Sequence, residues 1–405
     1  MSDTRLPVPI FFLPFFGMLA AIVPFAIDAY IPAIPNMALV FHVGVAQMNQ
    51  TISAFLLGYA LGQFFGGPIS DQLGRKTIGY TGFAILLIST FAILFVQDFS
   101  HLKIVRFIQA IGGGFTSVIC MASIRDAYTA ESAGRKYAVV TMIMLFMPML
   151  APVIGSLLLG FGWQSIFIAL FIFILAAAVT YYFGIPETRI IEHKSVDLKK
   201  IFRQFREVIV CKSDEGGWVI FYLFSIGFSA AVMLIFVTNS SFIYMEYFGV
   251  SPQAFPLYFG ANVIVMMACV RYSMVRMKIV HPHKLFTDGN RIQFAFSAAL
   301  ILYVIFSDPS LFPILFLMVG VVGSMGLVNP NAAAVYISHY DKLSGSATSL
   351  NSTFILLMGG LMGGLVSVCI GSSLLPVAIG MFACSLVSNI IGASIPKPQG
   401  QFHKK

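Results

Sequence analysis

Charged residues are scarce in this sequence. Asp, Glu, Lys and Arg make up 10% of its 405 residues, whereas 58% of the residues are hydrophobic. The mean hydropathy is +0.90. Because an ordinary soluble domain carries roughly 25% charged residues, this composition excludes a soluble globular protein. It indicates a polytopic membrane protein.

Clusters of reactive side chains are also lacking. The five cysteines form no CxxC pair, and of the seven histidines only His281 and His283 lie close together in sequence. A membrane enzyme needs paired carboxylates, a His/Asp cluster or a nucleophile beside its base, and a sensor needs a soluble output domain. An enzyme and a sensor are therefore remote alternatives, and we expect no metal site and no cofactor.

Apolar runs, by contrast, are abundant. A helix that crosses a membrane needs roughly 20 apolar residues. The first run is longer than the hydrophobic region of a signal peptide, so we interpret it as a retained span. Twelve predicted spans lie near 10–34, 48–69, 78–97, 102–125, 137–160, 163–185, 218–246, 254–275, 287–306, 310–336, 346–370 and 374–395.

A polar stretch at 186–217 divides the predicted spans into six and six. We therefore predict an all-α membrane protein with 12 transmembrane helices in two pseudo-symmetric six-helix bundles, 1–185 and 218–395, followed by a cytoplasmic tail at 396–405. This arrangement is typical of secondary transporters built from repeats. Within the central loop, apolar residues recur at helical spacing among basic ones, which predicts an amphipathic surface helix near anionic lipid. They are Leu198, Ile201, Phe202, Phe205 and Ile209.

Basic residues occupy alternate loops. The loops at 36–47, 161–162, 247–253, 307–309 and 371–373 contain no Lys or Arg. Segments that would face the other side contain Arg5, Arg75, Lys76, Arg125, Arg135, Lys136, Arg189, Lys194, Lys199, Lys200, Arg203, Arg206, Lys212, Lys278, Lys284, Lys342, Lys397, Lys404 and Lys405. This asymmetry predicts that both termini and the central loop lie in the cytoplasm. It also accounts for the net charge of +8 without a nucleic-acid partner.

One acid, Asp28, lies inside the first apolar run. A carboxylate in hydrocarbon is costly unless the protein uses it, so Asp28 is a candidate functional residue. In the fourth span, Arg106 is the matching base, since a guanidinium keeps its charge and must find an anion or water. We expect both side chains to face one cavity. The competing interpretation is that Arg106 extends to the outer headgroups.

The segment between the second and third spans combines glycines, an acid and two bases. Its glycines permit a tight turn and close helix approach, and its acid can cap a helix or pair with a base. This segment resembles the signature loop of the major facilitator superfamily, although Gln72 replaces an arginine often found there. The matching residues are Gly67, Asp71, Gly74, Arg75 and Lys76.

Two further segments resemble motifs of the same superfamily. The segment at 102–114 is similar to its fourth-helix motif, in which a membrane-embedded arginine precedes a glutamine and glycines; here these are Arg106 and Gln109. In the fifth span, Pro148, Pro152 and Gly155 resemble a shortened form of the motif of drug antiporters. The upstream glycines of that motif are missing. The motif favours antiport, and a plain proline kink is the alternative.

Within the superfamily, the chain resembles the Bcr/CflA drug-resistance branch. The passages that carry this resemblance are Ile27–Pro35, Ile124–Asp126, Gly162–Phe167, Pro186–Thr188, Asn329–Ala332 and Gly345–Leu350. The amino-terminal half matches better, because the loop at 277–285 does not repeat the signature loop. The resemblance implies that Asp28 carries the proton and contacts substrate, that Arg106 modulates it, and that Asp126 pairs with Arg75 to latch the cytoplasmic side.

Together these features predict a secondary transporter of the bacterial inner membrane that exports small cationic or lipophilic compounds, including drugs, in exchange for protons by alternating access. The expected partners are a small-molecule substrate, protons and membrane lipids, and the expected state is a monomer. Because fold does not determine substrate, export or import of a metabolite such as an amino acid, siderophore or sugar remains an alternative. Candidates for the substrate cavity, with helix-to-helix hydrogen bonding as their alternative role, are Tyr30, Gln50, Tyr59, Gln109, Asn239, Asn329 and Asn331.

Overall fold

The computed structural model describes residues 8–189, 197–212, 217–340 and 343–396. Of the predicted tail, only Pro396 falls within these ranges. The side chains of three residues in the central loop, Leu198, Lys200 and Ile201, also lie outside the described part. Predicted orientation signals that lie outside it are Arg5, Lys194, Lys342, Lys397, Lys404 and Lys405.

The described chain is almost entirely helical. Three short turns of tighter or wider helix interrupt the α-helices, at Ile31–Ala33, Leu159–Phe161 and Phe242–Tyr247. The α-helices are α1 Phe12–Asp28, α2 Ile34–Val40, α3 Val45–Leu73, α4 Arg75–Ile93, α5 Phe99–Ala127, α6 Ala130–Leu158, α7 Gln164–Gly184, α8 Leu198–Ile209, α9 Ile220–Ser241, α10 Phe255–Arg276, α11 Pro282–Phe306, α12 Leu311–Gly323, α13 Met325–Ser338, α14 Ser344–Cys369 and α15 Leu375–Ser394.

Twelve segments in the described part are long and apolar enough to cross a membrane, and the predicted all-α fold with 12 spans is confirmed. Two spans are discontinuous. The first, Phe12–Val40, consists of α1, the turn Ile31–Ala33 and α2, and the tenth, Leu311–Ser338, consists of α12 and α13. The sequence predicted the first span as one continuous run. Proline explains the break, because Pro32 has no N–H to donate to the carbonyl of Asp28 one turn earlier.

Local chemistry explains where neighbouring helices begin and end. The side chain of Asp98 caps α5 by accepting hydrogen bonds from the backbone N–H groups of Ser100 at 2.8 Å and His101 at 3.1 Å. Gly74 separates α3 from α4 with a φ of 91°, a value that costs glycine little because it has no Cβ. This is the tight turn that the glycines of the signature loop were expected to permit.

The chain divides into two compact units. The first comprises residues up to Leu198 together with Ser251–Pro256, and the second comprises Lys199–Val250 and Leu257–Lys405. In the first unit, α5 packs tightly against α3 and α4, because small residues meet at the crossings. A Cβ at Gly114 would lie 2.6 Å from the Cα of Gly62, and a Cβ at Gly112 would lie 2.7 Å from the carbonyl oxygen of Gly82.

In the second unit, α9 packs against α14 and α15, and α11 packs against α13 and α15. Buried polar side chains join three of these helices. The hydroxyl of Ser225 on α9 donates to the carbonyl of Ser388 on α15 at 2.9 Å, and the amide of Asn290 on α11 donates to the Ser225 hydroxyl at 3.1 Å. Such bonds stabilise helix contacts where the surrounding lipid supplies little driving force for packing.

Candidate functional site

Asp28 is the last residue of α1, at the break in the first span. Its side chain is only 5% exposed, and it is the one buried acid in the described part of the chain. The carboxyl end of a helix carries a partial negative charge, and burial removes the water that would solvate a carboxylate. A negative charge on Asp28 is therefore costly unless a proton or a cation accompanies it.

Arg106 lies inside the first unit and is 1% exposed. Its Nη2 donates to the carbonyl oxygen of Ala26 at 3.0 Å. That carbonyl belongs to the last turn of α1, where the carbonyl groups lack partners within the helix. The guanidinium thus caps the carboxyl end of α1, where a positive charge is favoured. This burial is inconsistent with the alternative in which Arg106 extends to the outer headgroups.

A short chain of hydrogen bonds holds the other side of this guanidinium. Nη1 of Arg106 donates to Oε1 of Gln109 at 2.6 Å, and Nε2 of Gln109 donates to Oγ1 of Thr90 at 2.7 Å. Thr90 in turn donates to the carbonyl of Leu86 at 2.6 Å. The chain links α4, α5 and the end of α1. Thr90 was not among the predicted site residues, since a threonine in an apolar span gives no distinctive sequence signal.

Aromatic rings surround the Arg106 guanidinium. Its Cζ lies 4.4 Å from the ring centre of Tyr30, 4.5 Å from that of Phe55 and 5.8 Å from that of Phe167. The hydroxyl of Tyr30 is within 2.7 Å of Oγ1 of Thr51, which positions the ring. Cation–π contacts of this kind compensate in part for the lost hydration of a buried cation.

Asp28 and Arg106, which we expect to face one cavity, do not contact each other directly in the described part of the chain. Among the described residues, no ion pair joins them and no hydrogen bond to the Asp28 carboxyl is found. Arg106 instead donates to the backbone carbonyl of Ala26 in the last turn of α1. The end of the helix, and not the Asp28 carboxylate, therefore holds this guanidinium.

α1 also packs against α6. Gly155 of α6 lies directly against the backbone of Ala29, and a Cβ at position 155 would overlap the Ala29 carbonyl oxygen. Pro148 and Pro152 lie inside the same helix, which continues past both of them to Leu158. The structure thus places Gly155, one of the three antiporter-like residues of α6, next to the break that carries Asp28.

The signature segment forms a second charged cluster, centred on Arg75. This side chain is fully buried, and its Nη2 lies 2.6 Å from Oδ1 of Asp71, while its Nε lies 2.9 Å from Oδ2 of Asp126. Nη1 donates to the hydroxyl of Ser70 at 2.6 Å, and that hydroxyl donates to the carbonyl of Gly67 at 2.8 Å. Arg75 therefore ties α3, α4 and α5 together at one end of the first unit.

Glu187 completes this cluster. It was not among the predicted site residues, although it lies in the passage Pro186–Thr188, which resembles the Bcr/CflA branch. Its carboxylate accepts hydrogen bonds from the backbone N–H groups of Arg75 at 3.0 Å and Lys76 at 2.9 Å. These are the first residues of α4, so the carboxylate caps the amino end of that helix and neutralises its partial positive charge. Sequence spacing gives little warning of this contact, because it joins positions more than 100 residues apart.

The remaining cavity candidates belong to both units, with Gln50 and Tyr59 in the first and Asn239, Asn329 and Asn331 in the second. Tyr59 is hydrogen-bonded to Ser117 at 2.8 Å, Asn239 accepts from Ser367 at 2.8 Å, and Asn331 donates to Ser273 at 2.6 Å. Gln50 and Asn329 are half-buried. For Tyr59, Asn239 and Asn331 the contacts favour helix-to-helix hydrogen bonding, the alternative given above. Within the first unit, Tyr30 and Gln109 contact Arg106.

Comparison with known proteins agrees with this architecture. A sequence profile of the Major Facilitator Superfamily matches residues 16–364. A bicyclomycin resistance protein homolog of Haemophilus influenzae is 27% identical over 374 residues, which cover 92% of each chain. The multidrug resistance protein MdtL of Citrobacter koseri is 32% identical over 172 residues, which cover 42% of this chain and 44% of the relative.

Solved structures agree as well. The crystal structure of the POT family transporter PepTSo matches with a TM-score of 0.73 and 12% identity, over 96% of this chain and 97% of the other. At this identity the likeness concerns the fold alone. Together with the profile match and the 12 candidate spans, it confirms the resemblance found in the motifs. The chain belongs to the Major Facilitator Superfamily, and its family and fold are those of integral membrane transporters.

Proposed function

We propose that this transporter exports small cationic or lipophilic compounds from the cytoplasm in exchange for protons, acting as a monomer by alternating access. The observation that carries the proposal is the placement of Asp28. A buried carboxyl group at the negative end of a helix, without a basic partner among the described residues, needs either a proton or a cation to be stable. These two occupants exclude each other, which is the requirement for coupled exchange.

The proposed cycle uses the competition at this one group. A cationic substrate that reaches Asp28 from the cytoplasm displaces the proton, and a proton from the outside then displaces the substrate. Exchange of one proton for one monovalent cation moves no net charge, so the pH gradient drives it, with about 1.4 kcal/mol per pH unit. For an uncharged lipophilic substrate the proton carries one net charge, and a potential of 100 mV adds about 2.3 kcal/mol. Because the site lies in a discontinuous helix, small rotations about the break change which side it faces.

Arg106 has a positioning role in this proposal. It caps the carbonyl of Ala26 and leaves the Asp28 carboxyl without an ion pair. Because this cap does not involve the Asp28 side chain, it holds the end of α1 whether or not Asp28 carries a proton. An ion pair between the two would instead stabilise the charged carboxylate and oppose proton uptake. The absence of that pair among the described residues therefore supports exchange at Asp28.

We also propose that the Arg75 cluster latches the cytoplasmic end of the first unit, consistent with the positive-inside pattern that predicts both termini and the central loop on that side. Arg75 is buried and contacts two carboxylates, Asp71 and Asp126. Separating a buried ion pair without replacing its partners costs roughly 3–5 kcal/mol. Such a cluster is stable in one conformation and must rearrange before the helices that it joins can move apart.

The names of the relatives guide the choice of substrates to test. One relative is described as a bicyclomycin resistance protein and another as a multidrug resistance protein. A suitable panel therefore contains bicyclomycin, lipophilic cations and a set of amino acids, siderophores and sugars. Transport of the last set alone would favour the alternative of a metabolite carrier.

The test uses inverted membrane vesicles that contain the full-length protein and carry an imposed pH gradient, with a fluorescent reporter of internal pH. We expect an active substrate to release protons from wild-type vesicles and Asp28→Asn to abolish this release, because an amide cannot exchange a proton. Asp308→Asn is the matched control, since Asp308 is an exposed acid in a loop. Undiminished proton release by Asp28→Asn contradicts the proposed coupling.

A further inference from the structure

The amphipathic helix α8 is firmly attached to the second unit. Val208 belongs to the buried core that also contains Tyr222 and Tyr340, and Phe205 is buried as well. The hydroxyl of Tyr340 donates to the carbonyl of Val208 at 2.9 Å. These contacts hold α8 against the start of α9.

Residues 211–212, which follow α8, pair with residues 218–219, which precede α9. A backbone bridge pairs Lys212 with Trp218, and the N–H of Val219 donates to the carbonyl of Cys211 at 3.2 Å. Trp218 lies only two residues before Ile220, where the membrane-spanning α9 begins. The position of α8 is therefore tied to the depth at which a span enters the membrane, which is the level where tryptophan and basic residues concentrate.

The apolar residues of α8 do not all lie on one face, as an amphipathic helix would have them. Phe205 points inward, together with Val208, whereas Phe202 is 56% exposed and Ile209 is 43% exposed. Arg203 and Arg206 are exposed beside them. The reason is that the core of the second unit takes up one apolar stripe, which leaves a second stripe outside.

We define the interfacial patch as the exposed side chains of Phe202, Arg203, Arg206, Ile209, Lys212 and Trp218. It combines apolar and basic groups. Residues 197–212 contain five basic residues and two acidic ones, so the net charge is positive. Nζ of Lys212 lies 4.6 Å from the ring centre of Trp218, which fixes an ammonium group at the level of an interfacial indole.

We propose that the interfacial patch binds the headgroups of anionic phospholipids. Basic side chains supply the attraction to the phosphate groups, while Phe202, Ile209 and Trp218 enter the boundary between headgroups and acyl chains. Anionic lipid is the fitting occupant for two reasons on this molecule: the charge is complementary, and the patch adjoins the first turn of a membrane span. The site is separate from Asp28 and does not depend on the identity of the transported compound.

Trp218 provides a direct probe, because the chain has two tryptophans and the other, Trp163, is buried in the first unit. In full-length Trp163→Phe protein, the remaining fluorescence reports on the patch. The protein is reconstituted into vesicles in which a fixed minor fraction of lipid is brominated, either phosphatidylglycerol or phosphatidylcholine. Bromine quenches tryptophan on contact, so stronger quenching by brominated phosphatidylglycerol measures its enrichment at the patch.

We expect brominated phosphatidylglycerol to quench Trp218 several-fold more strongly than brominated phosphatidylcholine at equal mole fraction. In Arg203→Gln/Arg206→Gln, which keeps Lys212, the preference for the anionic lipid should fall at least two-fold. Both arginines are exposed, so folding should survive, and an unchanged melting temperature checks this. The matched control is Arg291→Gln, which changes an exposed arginine on α11 and should leave the lipid preference intact. Added glycerophosphate should not compete, which distinguishes a bilayer surface from a free phosphate ligand.

Three results overturn the proposal. Equal quenching by both brominated lipids shows that the patch does not select anionic headgroups. An undiminished lipid preference in the double variant shows that the arginines do not provide it. Absence of quenching by either lipid shows that Trp218 faces water or another protein.

Discussion

Replacing Gly155 with alanine tests whether the contact between α6 and the break in the first span matters for transport. A Cβ at this position would overlap the carbonyl oxygen of Ala29 and lie 2.6 Å from its carbonyl carbon. Two carbon atoms in contact need about 3.5–4.0 Å, so α6 and α1 must separate by about 1 Å. The obstructing atoms belong to the backbone and cannot rotate away. The displaced residue is the neighbour of Asp28.

The expected effects follow from that displacement. Overpacking of a close contact typically costs about 1–3 kcal/mol, and the backbone position of Ala29 favours the upper part of this range. A misplacement of about 1 Å at a reacting group can lower a rate roughly 100-fold. We therefore expect Gly155→Ala to lower the melting temperature in detergent and to slow substrate-driven proton release by one to two orders of magnitude.

A glycine elsewhere on the same helix supplies the control. A Cβ at Gly134 meets no atom within 4 Å among the described residues. Alanine favours a helix over glycine by up to about 1 kcal/mol, so Gly134→Ala should keep or slightly raise the melting temperature and leave transport unchanged. Wild-type transport by Gly155→Ala refutes the argument that this contact positions Asp28. A lower melting temperature with a normal rate per folded molecule shows that the contact serves stability alone.

Three further changes test other contacts. Thr90→Val leaves the buried amide of Gln109 without its acceptor, at a cost of about 1–3 kcal/mol, so the melting temperature and the transport rate should both fall. Thr90→Ser should restore them, and equal behaviour of both variants argues against the hydrogen-bond chain. Glu187→Ala removes the cap of α4, and we expect thermal unfolding to show a loss of about 0.5–2 kcal/mol, with Glu187→Gln intermediate. Hydrogen bonds from the backbone N–H groups of His101 and Ser100 hold the pKa of Asp98 below its ordinary value. The pKa of Asp98 is lower in the folded state than in the unfolded state. Its carboxylate therefore stabilises the protein fully when the pH is above the ordinary pKa, and this stabilisation is lost as the pH falls through the lowered pKa. The difference in melting temperature between wild type and Asp98→Ala should therefore shrink in acid, and a difference independent of pH contradicts this assignment.

The 12 spans could be predicted because they depend on local composition. A run of about 20 apolar residues has few alternatives to a membrane helix, whatever its neighbours are. The motifs were similarly local: the spacing of Gly74 and Arg75 is visible in the sequence, and so is the position of Arg106. These features sufficed to recognise the superfamily.

The pairing of side chains could not be predicted in the same way. The sequence suggested that Asp28 and Arg106 face one cavity, but it does not specify which groups each side chain contacts. The contact of Glu187 with α4 could not be predicted because it joins distant positions in the sequence. In α8, the periodicity identified an amphipathic helix but not which apolar residues the second unit would bury.

The sequence by itself determined that the protein is a helical membrane protein, because hydrophobicity and charge act locally and an unpaired polar group in lipid is so costly that few folds remain possible. Its motifs added the resemblance to a superfamily of transporters. Tertiary structure alone decided that Arg106 caps the carboxyl end of α1 instead of pairing with Asp28. It also decided that Gly155 borders the break. Both outcomes depend on the rotation and approach of neighbouring helices, which are set by side-chain packing across the whole bundle and not by the order of residues in any one span.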